Sequence, residues 1–325
     1  MSKYIGRLIK LGIGKESVRG TAATPTYWLP ITKTDHADKI DYAVNEAGFG
    51  TIVDNVGAEV VKQYGEGGFS ALLGDKHFGL ILYALFGAVS SQAKIAPNAD
   101  VYDHSFTLAE SAQHQSLTIG VDEANGDYQF PLGVLNSLEL KFETAKLLEY
   151  TANFRSKKGG SASLTPALPA ENIFRPQDFH FYIAANLAGL DAANEIPVKS
   201  FNLKVEKEAE DYDVLGSTEP SDILNKQVKI SGSVTLVWDA ETYKAYYLAG
   251  TNKAIRIKLT DTGVTIGSAL NPELKIDLAK CIFNDFSKDT ALGNVVMQTI
   301  SFKAAYSTGD SKVGLATLTN LVASY

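Results

Sequence analysis

The chain has 325 residues, 45% hydrophobic and 21% charged, with 30 basic and 37 acidic residues for a net charge of −7. This length predicts about two domains with a sizeable core, and the acidic balance excludes a protein that grips nucleic acid through Lys and Arg. A single cysteine, Cys281, excludes an internal disulfide framework.

In chain order, Lys3, Arg7 and Lys10 interrupt the first apolar residues, so no targeting h-region forms. The longest apolar run, residues 78–89, is too short to span a bilayer, and the expectation is a soluble protein made in a cytoplasm with no membrane partner. LGIGKESVRG, residues 11–20, has the look of a phosphate loop. A P-loop requires a glycine where Ile9 stands and Ser or Thr where Glu16 follows Lys15. A carboxylate there repels phosphate, so no nucleotide site is expected. VRGTAATPTYWLP (18–30) reads as an irregular arm with an exposed Tyr27–Trp28 pair suited to docking.

DKHFGLILYALFG (75–87) begins with Asp and ends with Gly, a favoured N-cap and C′ residue, and predicts a short helix with Phe78, Leu82 and Leu85 on one face. Asn125-Gly126 predicts a hairpin turn after SLTIGVD. LELKFETAKLLEYTANF (138–154) alternates as strand. KKGGSASLTPALPAEN (157–172), rich in Gly, Ser, Ala and Pro, reads as a boundary. The acidic EKEAEDYD (206–213) lacks calcium-loop order and reads as solvated, or as facing a basic neighbour or a channel. DYDVLGSTEPSDILN (211–225) is a polar loop. VKISGSVTLVW (228–238), AIRIKLT (254–260) and VVMQTISFKAAY (295–306) are strands, and DAETYKAYYLAG (239–250) is a second Asp-to-Gly helix carrying Tyr243, Tyr246 and Tyr247.

These elements repeat. Lys62/Lys226, Gly68/Gly232, Leu72/Leu236 and Asp75/Asp239 are each 164 apart, Thr151 and Thr299 are 148 apart, and YIGRLIKLGIG (4–14) resembles FYIAANLAGLD (181–191). The order of strands, capped helix and strands twice over predicts duplication. The expected units are residues 1–162, with an arm at 15–32, and residues 163–325, joined by a linker at 157–177. No catalytic or cofactor group emerges. The five histidines lack metal-site spacing; His104 and His114, near Asp103, offer at most a fortuitous metal site, so none is expected. Cys281 in apolar LAKCIF reads as a buried inert thiol.

Gly12, Gly14, Glu16, Gly20, Thr21, Ala22, Trp28 and Pro30, together with VLGSTEPSDILNKQVKISGSVTLVWD (214–239), resemble the major tail tube proteins of long-tailed bacteriophages. The resemblance implies a mainly β fold: two tandem tail-tube-like β-sandwich or barrel domains, each with one flanking short α-helix and long loops. It implies a structural, non-enzymatic virion protein that self-assembles in the host cytoplasm into stacked rings, the conduit for viral DNA ejection. Its partners would be itself, the tape measure protein, and the tail terminator and distal tail proteins. Double-stranded DNA would pass through without specific binding. Two domains per chain favour rings of three chains with pseudo-sixfold symmetry, hexameric rings being the alternative. The glycines of the opening stretch then mark tight turns, and residues 18–30 and 211–225 are candidates for stacking. A tube protein of a related secretion or injection system, and a carbohydrate-binding β-sandwich module, remain open.

Overall fold

The computed structural model of the chain describes residues 3–325. The first half carries β1 (Lys10–Lys15), β2 (Tyr27–Trp28), β3 (Ile31–Thr34), β4 (Ala37–Asn45), β5 (Gly57–Leu72), α1 (Phe78–Phe86), β6 (Gly87–Ala93), β7 (Tyr102–Leu108), β8 (Leu117–Glu123), β9 (Gly126–Glu143), β10 (Glu149–Ser156) and β11 (Gly160–Ala162). The second carries β12 (Phe179–Ala184), β13 (Ser200–Glu206), β14 (Ala209–Tyr212), β15 (Asp222–Asn225), β16 (Lys229–Val237), α2 (Thr242–Leu248), β17 (Asn252–Thr260), β18 (Glu273–Asp289), β19 (Met297–Ala305) and β20 (Gly314–Asn320). The protein is mainly β, as its period-two sequence requires.

Strand alternation places the core. In β10, Tyr150, Ala152 and Phe154 are buried while Glu149, Thr151 and Asn153 are not; in β13, Phe201, Leu203 and Val205 are buried. A one-residue slip would turn each set into water, so the buried face fixes the register. The run 138–154 is two strands, because a turn at 144–148 with Ala145 at φ 64° separates β9 from β10.

The first half pairs in the order β1–β8–β9–β10–β5–β4, all antiparallel. The second pairs in the order β12–β17–β18–β19–β16–β13, also antiparallel. β11 lies beside β9 as β20 lies beside β18. Register shifts opposite Phe154 and opposite Phe302 fall at corresponding points of the two ladders. Hydroxyl pairs mark them too: Ser70–Thr151 at 2.8 Å and Thr235–Thr299 at 2.9 Å. These pairs set the β5-to-β16 spacing at 165, one residue from the spacing of the sequence identities. At 164, half-exposed Leu72 would match buried Leu236, a face reversal that strand geometry forbids. The match of 4–14 with 181–191 is also displaced. By pairing order β1 corresponds to β12, and residues 187–192 are a 3₁₀ turn.

Both helices form, inside the expected limits. Gly87 closes α1 in the left-handed region at φ 82°, where glycine carries no Cβ penalty. Neither Asp acts as an N-cap. Asp75 instead accepts from the backbone N and Nδ2 of Asn172 at 3.0 and 2.8 Å, and His77 and Glu241 occupy the cap positions without side-chain cap bonds. Asp75 therefore anchors the 157–177 segment. Eight of nine α1 residues are buried, whereas α2 has none.

The opening glycines belong to a strand, not to turns. Gly12 and Gly14 lie in β1, and the 21–28 segment crosses directly over them. A Cβ on Gly14 would sit 2.6 Å from the Thr24 carbonyl oxygen, and one on Gly12 would sit 2.7 Å from Pro25 Cβ and 2.9 Å from the Trp28 ring. Only Gly20 takes a turn conformation, at φ 76°. Because backbone must move to relieve the contact, Gly14→Ala is expected to cost about 1–3 kcal/mol in denaturant unfolding. A change within error would refute the close-approach account.

Candidate assembly surfaces

One continuous ladder crosses both halves. β13 pairs with β9 over residues 200–206 and 137–143, which joins β4–β5–β10–β9 to β13–β16–β19–β18 in a row of eight antiparallel strands. A second seam joins β20 to β7. Both ends of the eight-strand row are open among the described residues: β4 pairs only with β5, and β18 beyond Phe283 pairs only with β19. Such edges expose rows of N–H and C=O groups and template further pairing.

On one face of this row alternate residues of β9, β10, β13 and β16 are apolar and buried, whereas β4 is exposed along its whole length. The other face is polar at the seam, with Ser137, Glu139 and Lys141 of β9 opposite Glu206, Lys204 and Asn202 of β13. Cross-strand bonds knit it: Asn153 Nδ2 donates to Ser137 Oγ at 2.9 Å, and Asn202 Nδ2 to Glu139 Oε1 at 2.8 Å. Two of its cations have carboxylate neighbours, Lys204 with Glu206 at 2.6 Å and Lys141 with Glu143 at 3.2 Å. Arg155 makes a two-pronged pair with Asp211, both bonds 2.7 Å, which holds the guanidinium above its ordinary range.

The β4–β5 hairpin projects from the body. Along it Ile40, Tyr42, Val44, Phe49, Ile52 and Val53 are exposed, Ile52 completely. A contiguous apolar patch of this kind on a soluble protein marks an interaction surface. Sequence reading assigned nothing between residues 31 and 74 except repeat identities. The signal was present in the alternation IDYAVN (40–45) followed by Gly- and Asn-rich residues.

The residues singled out from sequence disperse to structural posts. Lys15 Nζ donates to the Tyr325 carbonyl at 2.9 Å and lies over the Tyr83 ring. Glu16 is buried and accepts from Gly20 N, Leu132 N, Ser116 Oγ and Thr118 Oγ1. His104 bonds Ser91 Oγ and Asn320 Oδ1, while the His114 ring nitrogens each lie 3.0 Å from a carbonyl, Leu85 and Ala109, so the two are held apart by separate partners. Among the described residues no three His, Cys, Asp or Glu side chains gather as a metal group. Burial raises the Cys281 thiol well above its ordinary range.

Trp28 is buried and Tyr27 half-buried, so the pair is not the exposed anchor its sequence context suggests. The acidic run faces basic neighbours. Lys62 meets Asp211 at 2.7 Å and Asp213 at 2.6 Å, and Lys226 meets Glu210 at 2.9 Å. The β14–β15 hairpin, residues 209–225, is clamped to the first half by the Lys62 pairs and by Arg19 on Asp222 at 2.7 Å. The tip of the 211–225 segment stays exposed, with Tyr212, Val214 and Leu215 in solvent, and Val18 is exposed in the other segment.

A family model described as phage tail tube protein matches residues 6–304, and the chain belongs to that family. It is thus a structural component of a viral tail, and the family implies assembly into a tube with other tail components. No curated protein matches the chain. No helix among the described residues is long and apolar enough to cross a membrane.

Proposed function

We propose that the chain is a tube subunit built from two tandem copies of one domain, residues 1–162 and 163–325, and that three chains close a ring. Rings then stack into the conduit through which double-stranded DNA leaves the virion for the host. The observation that carries this reading is the eight-strand row with both edges open, together with the shared pairing order of the halves.

Magnitude sets a lower bound on the ring size. Strands lie about 4.8 Å apart, so three copies of eight strands give a circle at least roughly 37 Å across between backbones, and two copies roughly 24 Å. Side chains on both walls would narrow the smaller ring below the width of a double helix. Closure also removes every edge of the row. The polar face would line the lumen. Ion-paired lysines there, such as Lys141 and Lys204, bring little net attraction to phosphate, and the overall acidity repels the duplex. The protein has no catalytic role in this account. Tape measure, terminator and distal tail proteins are its partners at the tube's interior and ends, with assembly in the host cytoplasm.

Stacking falls to the β4–β5 hairpin, whose apolar residues need cover. Ile52→Asp with Val53→Asp is expected to leave rings and melting unchanged but abolish long tubes; tubes of normal length from this variant would refute the assignment. Buried Trp28 offers no sugar platform, which disfavours the carbohydrate-binding reading. Electron microscopy of the purified protein tests the whole. Tubes with three chains per ring support it, six chains per ring would sink the duplicated-trimer step while sparing the tube, and a strict monomer under all conditions would sink both.

A further inference from the structure

A cavity of about 440 Å³ lies where the two halves meet, between the 108–114 turn of the first half and residues 225–228, 304–306 and 313 of the second. That volume falls within the roughly 300–1,000 Å³ that holds small-molecule ligands, and junctions between units are where such sites form. None of its lining residues belongs to β4, β18 or the β4–β5 hairpin.

Leu108, Val228 and Val313 give the cavity apolar walls. Asn225 lines it and is only 8% exposed. Its backbone N and its Nδ2 both donate to the Ala112 carbonyl, at 2.8 and 3.3 Å, while its Oδ1 is closed to water and has no donor among the described residues. A buried acceptor left unmatched calls for a donor from elsewhere. Glu110, exposed at the mouth, makes no ion pair among the described residues, and the Tyr306 ring beside it is 53% exposed. The neighbouring cations are engaged elsewhere. Lys226 pairs with Glu210 at 2.9 Å. Buried Lys207 donates to the Ala84 carbonyl at 2.7 Å and meets the Nδ1 edge of His114 at 2.8 Å, whereas Ala109, at the Nε2 edge, lines the cavity.

We propose that this cavity binds an alkylammonium or alkylguanidinium group. The aliphatic stem lies along the apolar walls, the charged head pairs with Glu110 and donates to Asn225 Oδ1, and Tyr306 covers it as a cation–π partner. Oδ1 comes into the cavity by a swing of the amide, whose χ2 torsion is soft and whose Nδ2 bond to Ala112 is long at 3.3 Å. An anion would meet two acceptors and no free donor, and a hydrocarbon would leave Oδ1 unmatched. The group comes either from a free amine or from a lysine or arginine of a neighbouring copy, since both present the same head on the same stem. The site does not rest on the tube reading.

Calorimetric titration of the unassembled subunit with n-butylammonium chloride is expected to show saturable uptake at a single site, absent for n-butanol and for butyrate. Glu110→Gln, at an exposed position, should melt like the parent and bind about tenfold more weakly, and Tyr306→Leu about threefold more weakly. Tube yield separates the two sources. If the amine is free, Glu110→Gln chains assemble like the parent; if it belongs to a neighbouring copy, their tube yield falls along with amine affinity. No saturable uptake by the parent, equal uptake of n-butanol, or undiminished binding by Glu110→Gln would each overturn the site.

Discussion

Glu16→Ala is expected to destabilise the folded chain by about 4 kcal/mol or more, among the largest effects of any single substitution. The side chain is 3% exposed and accepts four hydrogen bonds: Gly20 N and Leu132 N at 2.7 Å, Ser116 Oγ at 2.5 Å and Thr118 Oγ1 at 3.0 Å. Truncation leaves four donors without an acceptor in a site closed to water, and each orphan costs on the order of 1–3 kcal/mol. One of them, Leu132, sits at φ 56°, a conformation a leucine holds only when its surroundings over-determine it. The carboxylate also ties the end of β1 to β8 and β9, so its loss loosens three strands together. Glu16→Gln keeps part of the acceptor capacity and should fall between parent and alanine variant. Urea unfolding of the unassembled subunit decides: a loss below about 1 kcal/mol for the alanine variant would sink this account.

The same residue shows what sequence could and could not reveal. That Glu16 is incompatible with a phosphate loop follows from charge alone and needs no coordinates. That it is a buried acceptor depends on Ser116, Thr118 and Leu132, more than a hundred residues away for two of the three, and no local pattern carries such contacts. Strands and both helices were legible because burial imprints its period on the chain. The helix caps were not, since Asp75 finds a stronger use in holding Asn172 than in capping. The duplicate register was off by one for a physical reason: identities at Gly68/Gly232 ignore which face each residue occupies, whereas the Ser70–Thr151 and Thr235–Thr299 pairs report it directly. The Tyr27–Trp28 pair breaks its sequence context because prolines nearby suggest an exposed arm, while the missing side chain of Gly12 leaves the slot in which Trp28 lies. Open edges on β4 and β18 are invisible in sequence, because an edge is defined by what fails to pair with it.

The second large effect is on pH. Folded stability is expected to climb from about pH 6 to a maximum near pH 9, driven mainly by Lys207. Burial, and secondarily the charge of Arg19, push this ammonium from an ordinary 10.5 down to about 7. Its folded value lies below its unfolded one, so between about pH 7 and 10.5 the unfolded chain binds the extra proton. Stability therefore rises with pH through that window, by on the order of 5 kcal/mol if the whole window counted. His114, 2.8 Å from Lys207 Nζ, is lowered by burial and then by that same lysine, and burial takes His36 down to about 4. Both are neutral in the fold and protonate first in the unfolded chain, so stability falls as pH drops below about 6.5. The alkaline limit has the opposite sign. Burial raises Cys281, Tyr150 and Tyr325 above ordinary values of 9.0 and 10.0. The unfolded chain loses those protons first, and stability declines above about pH 9. Lys207→Met removes the titrating group while keeping the stem that fills the site between α1 and β13, so its urea midpoint should change little between pH 7 and 9 while the parent midpoint rises. A parent midpoint flat over that range, or an equal slope in the Lys207→Met variant, would show that the buried lysine does not set the pH dependence.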